Sequence, residues 1–586
     1  MGVVGNCAFM AYTDVHAHVR WMCMPRFDSS FLFGSLLDKH KGGEFSVTPE
    51  NQLGESRQYY LENTNILCTE FDTNQGSLRV IDFAPRFYQN DRIYRPLMLI
   101  RKVELLSGAP MLKICCSPVG DYGRVKPERM QGSNHIRFEG LGEPVRLTTN
   151  LPLSYITEDK SFILTETGYL LFTYGIPLEG PLESTCEDFL TKTTQYWRRW
   201  VKGMVVPAFY QEFVIRSALA LKMHQYEDTG GIIASGTMAL PEYHMSTRNW
   251  DYRYCWMRDA YYTLNAFNSI GHFDELEHYF RYIQNVMMHE QGNAQPLYTI
   301  LGDKRIVELE LDLEGYMGNK PVRVGNDAYT HIQNDVYGQV LTSLLPLYVD
   351  KRLNSVGTEK HLGLVRWLLS KIEMTMEMPD AGIWEFRERA QLHCYTFLFH
   401  WAGSNAAAKI AGFFGDESLK TKALLLATRA SEQIEACYDN QRKVYTQAVG
   451  VPYLDAACLL LITMRYLDPA TQRAKDHLSA LEKELLAESG LFYRYIHTDD
   501  FGKPESTFLV CAFWYIEALA AVGRLPEAAT CFENLMKYSN HLGLFSEDVH
   551  AETGSQWGNF PQTYSHVGLM NAAFRIDKKL DLPNFL

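Results

Sequence analysis

Paired cysteines, positive charge and long apolar runs are all scarce in this chain. None of its twelve cysteines stands at a CxxC spacing, although Cys115 and Cys116 are adjacent. Structural zinc draws on such close pairs, so no metal site is expected from them. Scattered thiols in a chain of this length predict reduced, mostly buried side chains and a cytoplasmic address. Cations are outnumbered, 56 Lys and Arg against 69 Asp and Glu, for a formal net charge of −13. A nucleic-acid surface needs clustered cations, so that class of partner is excluded. Arg198-Arg199 reads as a solvated helix face. The longest apolar run, Thr507 to Ile516, meets Glu517 after ten residues. A membrane span needs about 20, so the run predicts a buried helix and no membrane partner. Met1 to Cys7 lacks a basic region followed by an apolar stretch, and no signal peptide is expected.

What is present is a long chain with ample material for cores. At 586 residues it exceeds one ordinary core, which predicts two or three domains. Aromatic residues make up 13%, which suits carbohydrate stacking and a large aromatic core equally well. The first third reads as strands, with Gly76 to Phe83 alternating. Gly76 to Phe83, Leu97 to Leu106, Met111 to Cys116, His135 to Glu139, Val145 to Thr149 and Phe162 to Tyr174 are short runs separated by turn residues. That spacing predicts a sandwich of antiparallel strands over 1–182.

From about residue 183 the period changes. Phe189 to Val201 predicts a helix within a linker at 183–207, and helical periodicity dominates 208–586. Twelve segments are expected, near 208–226, 258–270, 274–289, 332–350, 359–377, 391–413, 416–438, 453–466, 470–487, 506–523, 526–539 and 562–578. Ala456 to Met464 and Phe508 to Ala521 are apolar nearly all round and belong to an inner layer, whereas Arg473 to Ala487 carries charge on one face. About six inner and six outer helices describe an (α/α)6 barrel. No period of 20–50 residues recurs, which disfavours a solenoid.

The chemistry is concentrated between helices. Gly382 to Arg387 and Leu544 to Asp548 each present a carboxylate among aromatic and glycine residues. Two carboxylates drawn from distant positions are what glycosidic hydrolysis requires, one to protonate the leaving oxygen and one to activate water or attack the sugar. Arg248 to Ala260 packs aromatics, arginines and acids together, a mixture suited to gripping hydroxyls and stacking on sugar rings. Each residue also has a plainer reading. Glu385 could start a helix and pair with Arg387, Arg258 with Asp259 could be a structural ion pair, Arg494 a structural salt bridge, and the aromatics core. Asn334-Asp335 could ligate a cation, but such a pair more often caps or hydrogen-bonds. His272, His278, His289 and His566 share no ligand spacing, so neither metal nor cofactor is expected.

These motifs resemble glycoside hydrolase family 15, which includes glucoamylases, glucodextranases and some bacterial trehalases. The resemblance runs in order through Pro25 to Ser29, Arg248 to Ala260, Gln333 to Gly338, Gly382 to Arg387, Gly490 to Tyr495, Thr507 to Trp514 and Gly558 to Leu569. It implies an N-terminal β-supersandwich, a linker helix and an (α/α)6 catalytic barrel. It implies Glu385 as general acid and Glu547 as general base, with Asp548 the adjacent rival. Arg258, Asp259 and Arg494 are implied as substrate-binding, with Trp250, Tyr254, Trp256 and Trp384 as stacking candidates. The implied reaction is inverting, exo-acting release of β-glucose from the non-reducing ends of α-glucosides or α-glucan oligosaccharides. Trehalose is the alternative substrate, and a disaccharide phosphorylase of the same architecture a further one. A phosphorylase needs no base opposite the acid, so Glu547 argues against it. Three places depart from the pattern: Arg20-Trp21, Glu505-Ser506-Thr507 and Trp557. Trp557 lies close enough in sequence to Glu547 to reshape the leaving-group side.

Overall fold

A computed structural model describes residues 1–290, 292–353 and 362–580. In it the alternating runs of the first third pair into two antiparallel sheets. The first places Gly2–Gly5, Met10–Thr13, His18–Cys23, Glu44–Pro49, Met111–Ser117 and Phe162–Ile163 side by side, with Phe31–Phe33 added to His18–Cys23. The second has eight strands, and Gly76–Phe83, Met98–Gly108 and Gly168–Tyr174 form its middle. The sheets meet through aromatic rings: Phe33 and Phe45 of the first lie 5.3 and 5.9 Å from Phe172 of the second. The run expected at 162–174 is not one strand. Its two ends belong to different sheets, because the polar residues Thr165, Glu166 and Thr167 carry the chain from one face of the sandwich to the other.

The helix Leu182–Lys202 is longer than the run Phe189 to Val201 indicates. Its buried stripe of Cys186, Thr193, Tyr196, Trp197 and Trp200 sits at helical spacing and lies against the sandwich and the barrel. Phe189 packs on Phe87, and the Trp200 indole N–H donates to Glu275 (2.7 Å). Arg198 and Arg199 are exposed, as expected. A buried ionic joint lies nearby, where Arg86 pairs with Glu227 (2.7 Å) and Lys222 reaches Glu227 and Glu275 at 3.5 and 3.4 Å. Against its burial, Lys222 and Arg86 hold the Glu227 carboxyl down to about 2.

Beyond it, twelve helical segments among the described residues alternate inward and outward. The inner ring is Ala260–Ile270, Asp335–Val349, Cys394–Phe413, the short turn 456–463, Leu509–Ala521 and Thr563–Leu580, each packed on the next and the last on the first. The outer layer is Gln211–Met223, Phe273–His289, Leu362–Thr375, Glu417–Glu435, Gln472–Leu485 and Leu525–Met536. Residues 359–361 of the segment expected at 359–377 lie outside the described residues. All thirteen residues of Leu509–Ala521 are buried, as its apolarity on every side demands of all but Glu517. All twelve cysteines are free thiols, ten of them buried. No described helix is long and apolar enough to cross a membrane.

Two inner helices touch backbone to backbone. A Cβ on Gly338 would lie 2.0 Å from the Phe399 carbonyl oxygen, and one on Gly403 would lie 2.6 Å from the Gly338 Cα. Gly338→Ala is therefore expected to cost about 1–3 kcal/mol by overpacking. A thermal unfolding midpoint equal to the wild type would contradict this packing.

Candidate active site

The segment 248–260 runs extended across the mouth of the barrel, where Cys255–Trp256 pairs with Leu297–Tyr298. Its side chains alternate. Trp250 and Tyr252 face a cavity over the inner ring, while Asp251 and Arg253 face backward and pair with each other at 2.7 Å, both fully buried. Arg253 continues into the sandwich, donating to the Ser29 carbonyl (2.6 Å) and the Tyr122 hydroxyl (3.2 Å). The Trp21 indole N–H likewise reaches the Gly236 carbonyl (2.8 Å), and its neighbour Arg20 is held by Asp14 (2.6 Å). A bend at Tyr254 breaks the alternation, so Trp256 and Arg258 return to the cavity and Tyr254 does not. Tyr254 is a correction to the sequence reading, since its ring lines a separate groove beside Asp28 and Tyr122. Tyr252, two residues earlier, takes the inward place.

Glu385 occupies the tip of a tight turn with a left-handed backbone, φ 60°. A non-glycine residue in that region is a small strain of the kind that recurs where a side chain must be aimed. One carboxylate oxygen, Oε1, accepts from the Trp256 indole N–H (2.7 Å) and from Arg258 Nη1 (3.1 Å). No described residue hydrogen-bonds Oε2. The pairing with Arg387 that the sequence left open does not form: Arg387 pairs with Glu308 (3.2 Å) and lies over the Trp250 ring at 4.5 Å. Arg323 lies over the same ring at 4.8 Å. Arg258 is anchored by Asp259 (2.9 Å) and the Ile383 carbonyl (2.9 Å). Asp259 is buried and absent from the cavity wall, and it holds Arg258 from beside. Trp384 does line the wall, its indole N–H fixed on Asp455 (2.8 Å).

Glu547 precedes the strand Asp548–His550 and lines the same cavity, whereas its rival Asp548 lies behind it. Its Oε1 accepts from the Tyr252 hydroxyl (2.7 Å). The loop at Gly558 closes over it: with φ +77°, a Cβ there would stand 2.7 Å from the Glu547 Cβ, so only glycine fits. Asp548 Oδ1 accepts from Ser506 (2.9 Å), one of the residues in the departing stretch 505–507, and its Oδ2 is buried without a partner. Trp557 is absent from the cavity wall and sits beside His244 and Tyr316.

Glu242 is a residue that sequence reasoning missed. It is 3% exposed and forms a two-pronged pair with Arg494, at 2.8 and 3.4 Å. Carboxylate oxygens of Glu242, Glu547 and Asp548 lie within 4.8 Å of one another, the one acidic set among the described residues able to hold a metal ion. Arg494 already neutralises one of its charges. Burial pushes Glu547 up to about 8, with the Glu242 charge adding to the shift and Tyr252 and Arg494 opposing it. Burial, Glu242 and Glu547 push Asp548 well above the carboxylate range. In so crowded a set, protons belong to the cluster as a whole. His331, another unforeseen wall residue, has its imidazole pKa lowered by burial. Asn334-Asp335 lies apart, its acid bonded to Gln339 (3.0 Å) and raised by burial to about 6.

Comparisons with known proteins show the family. The sequence model described as glycosyl hydrolases family 15 matches residues 208–574, and one described as trehalase-like, N-terminal, matches 1–162. The trehalase of Thermoplasma volcanium is 32% identical, over 99% of this chain and 93% of its own length. That of Mycobacterium tuberculosis is 30% identical, over 95% and 86%. Among solved structures, a bacterial glucoamylase complexed with acarbose superimposes with a TM-score of 0.70 at 14% identity, covering 99% of this chain and 94% of its own. At that identity the likeness shows a shared fold, sandwich followed by (α/α)6 barrel. The chain is a glycoside hydrolase and belongs to family 15.

Proposed function

We propose that the protein is an inverting α,α-trehalase. The observation that carries this reading is one cavity holding Glu385 and Glu547, each gripped by a different aromatic donor of the segment 248–260. Glu385 is the general acid. Its Oε1 is taken up by Trp256 and Arg258, which leaves Oε2 to carry the proton to the glycosidic oxygen. Glu547 is the general base, drawing a proton from water as the water attacks the anomeric carbon from the opposite face. Trp250, Trp256, Trp384, Arg258 and Arg494 form the wall that holds the sugar. Its alternative within the family, cleavage of glucan ends, has the glucoamylase likeness behind it, but that likeness is one of fold.

Two observations favour trehalose. Relatives named trehalase align with nearly the whole chain, the sandwich included. Charge also rings the cavity, with nine of the twenty-two wall residues ionisable as Asp, Glu or Arg. Such a wall suits a compact ligand bearing hydroxyls on both rings, where each needs a polar partner once water is excluded.

Trehalose is expected to be cleaved with kcat/KM at least about tenfold above maltose, a difference of about 1.4 kcal/mol. Its fresh products should be equal amounts of α- and β-glucose by NMR, since the attacked ring inverts and the departing ring keeps its anomer. Only α-glucose would mean retention, and a preference for maltose would overturn the substrate. Glu385→Gln and Glu547→Gln should each lower kcat by about 10²–10⁴-fold with the fold intact by circular dichroism. A variant retaining full turnover would remove that residue from the mechanism. Because a base works ionised, the raised Glu547 makes kcat/KM climb as pH rises through the cluster's apparent pKa. Glu242→Gln removes a charge that raises it, so the acid limb should move to lower pH by about half a unit or more. An unmoved limb would separate Glu242 from the base.

A further inference from the structure

A second cavity, of about 530 Å³, opens at the other mouth of the barrel. Its size falls within the range of small-molecule sites. Four inner segments connect the two mouths. They start beside the catalytic cavity at Arg258, Asp455, Phe508 and Gln562, and end around this second one at Ser269, Thr463, Glu517 and Lys578. A layer of rings separates the two, with Tyr262 lying 5.3 Å from Tyr564 and 5.9 Å from Trp514.

Glu517 is the feature that calls for explanation. It is the one charged residue in the fully buried helix Leu509–Ala521, and it is 8% exposed. Arg575 approaches Oε2 at 3.4 Å, while Oε1 has no hydrogen-bond partner among the described residues and is not sealed from the cavity. A carboxylate sunk this far costs free energy unless donors satisfy it. Beside it the wall offers Tyr261, Asn265 and Asn571. A carboxylate–guanidinium pair set among amides and a phenol is a set for binding hydroxyl groups, able to donate and accept around a ring.

The rim of the same cavity is cationic, although the chain carries a net charge of −13. Arg465, Lys578 and Lys579 line it, all exposed, and none forms an ion pair among the described residues. Two lysines in the last turn of Thr563–Leu580 also complement that helix's dipole. The dipole gives no reason for the buried Glu517 or the amides below them.

We propose that this far cavity binds a phosphorylated sugar, its hydroxyls on Glu517, Arg575 and the asparagines and its phosphate ester on Arg465 and Lys578. The site is distinct from the hydrolytic one and does not depend on which glycoside is cleaved there. The test is calorimetric titration of the full chain with glucose 6-phosphate, glucose and inorganic phosphate separately. It is repeated on Arg465→Glu/Lys578→Glu and on Lys579→Glu, all at exposed positions. Glucose 6-phosphate is expected to bind one per chain, at least about tenfold more tightly than glucose or phosphate alone. The double variant should weaken it by at least about tenfold, with kcat and KM for glycoside hydrolysis unchanged. Equal affinity in wild type and double variant would place the ligand elsewhere and overturn the proposal. Glucose or phosphate binding as tightly as the ester, or no binding at millimolar concentration, would overturn it too.

Discussion

Tyr252 and Trp256 sit edge to face, with 5.2 Å between ring centroids, and each donates a hydrogen bond to a different carboxylate. Glu385 and Glu547 come from loops 162 positions apart in sequence, so nothing local relates them. The aromatic pair does, because both rings belong to one short extended segment. That segment is itself clamped from behind, where the Asp251–Arg253 pair is tied to Ser29 and Tyr122 of the sandwich. The β-domain thereby acts on the chemistry at one remove. It fixes the backbone from which the two donors project, and two hydrogen bonds then fix the acids.

The cost of this arrangement is concentrated around Glu547. Three carboxylates within 4.8 Å, all buried, repel one another in a poorly solvated place. Arg494 offsets part of that repulsion through its two-pronged contact with Glu242. Arg248, paired with Asp499, stands 3.7 Å from the same glutamate. A carboxylate in such surroundings ionises with difficulty and, once ionised, takes a proton more readily. The inner helices act the other way, toward ionisation. Ala260–Ile270, Leu509–Ala521 and Thr563–Leu580 all begin at this mouth, so their positive ends face the acids. The opposite mouth receives their negative ends, which is one reason cations gather there.

Much of the architecture was legible from the sequence. Eleven of the twelve expected helical segments lie within three residues of an observed one at both ends, and 359–377 does so at the end within the described residues, because burial of one face against a shared core imposes the 3.6-residue period directly on residue type. Leu509–Ala521 announced itself as an inner helix by having no polar face. The strands were legible for the same reason at period two. The break within 162–174 was missed because its polar turn is only three residues long and both flanks are apolar.

The site was legible in part, and the division has a physical cause. Glu385, Glu547, Arg258, Arg494 and the tryptophans were singled out by the family resemblance, residue type alone leaving each a plainer structural reading, and the structure gathers them around one cavity. Phase was not available. Whether Tyr252 or Tyr254 points inward depends on a single bend, which leaves no mark on composition. Glu242 stands alone among turn residues with no periodic neighbour, and only the closing of the ring brings it against Arg494 and Glu547. Asp259 was placed in the cavity by the resemblance, and the tertiary structure pairs it with Arg258, the plainer reading that its spacing had offered. The sequence by itself determined which side chains exist to do the work and on which elements they ride, because burial and chemistry both act on residue identity. Only tertiary structure decided which of them share a cavity and which shift one another's protonation, because those effects depend on distances between segments that the chain brings together only on folding.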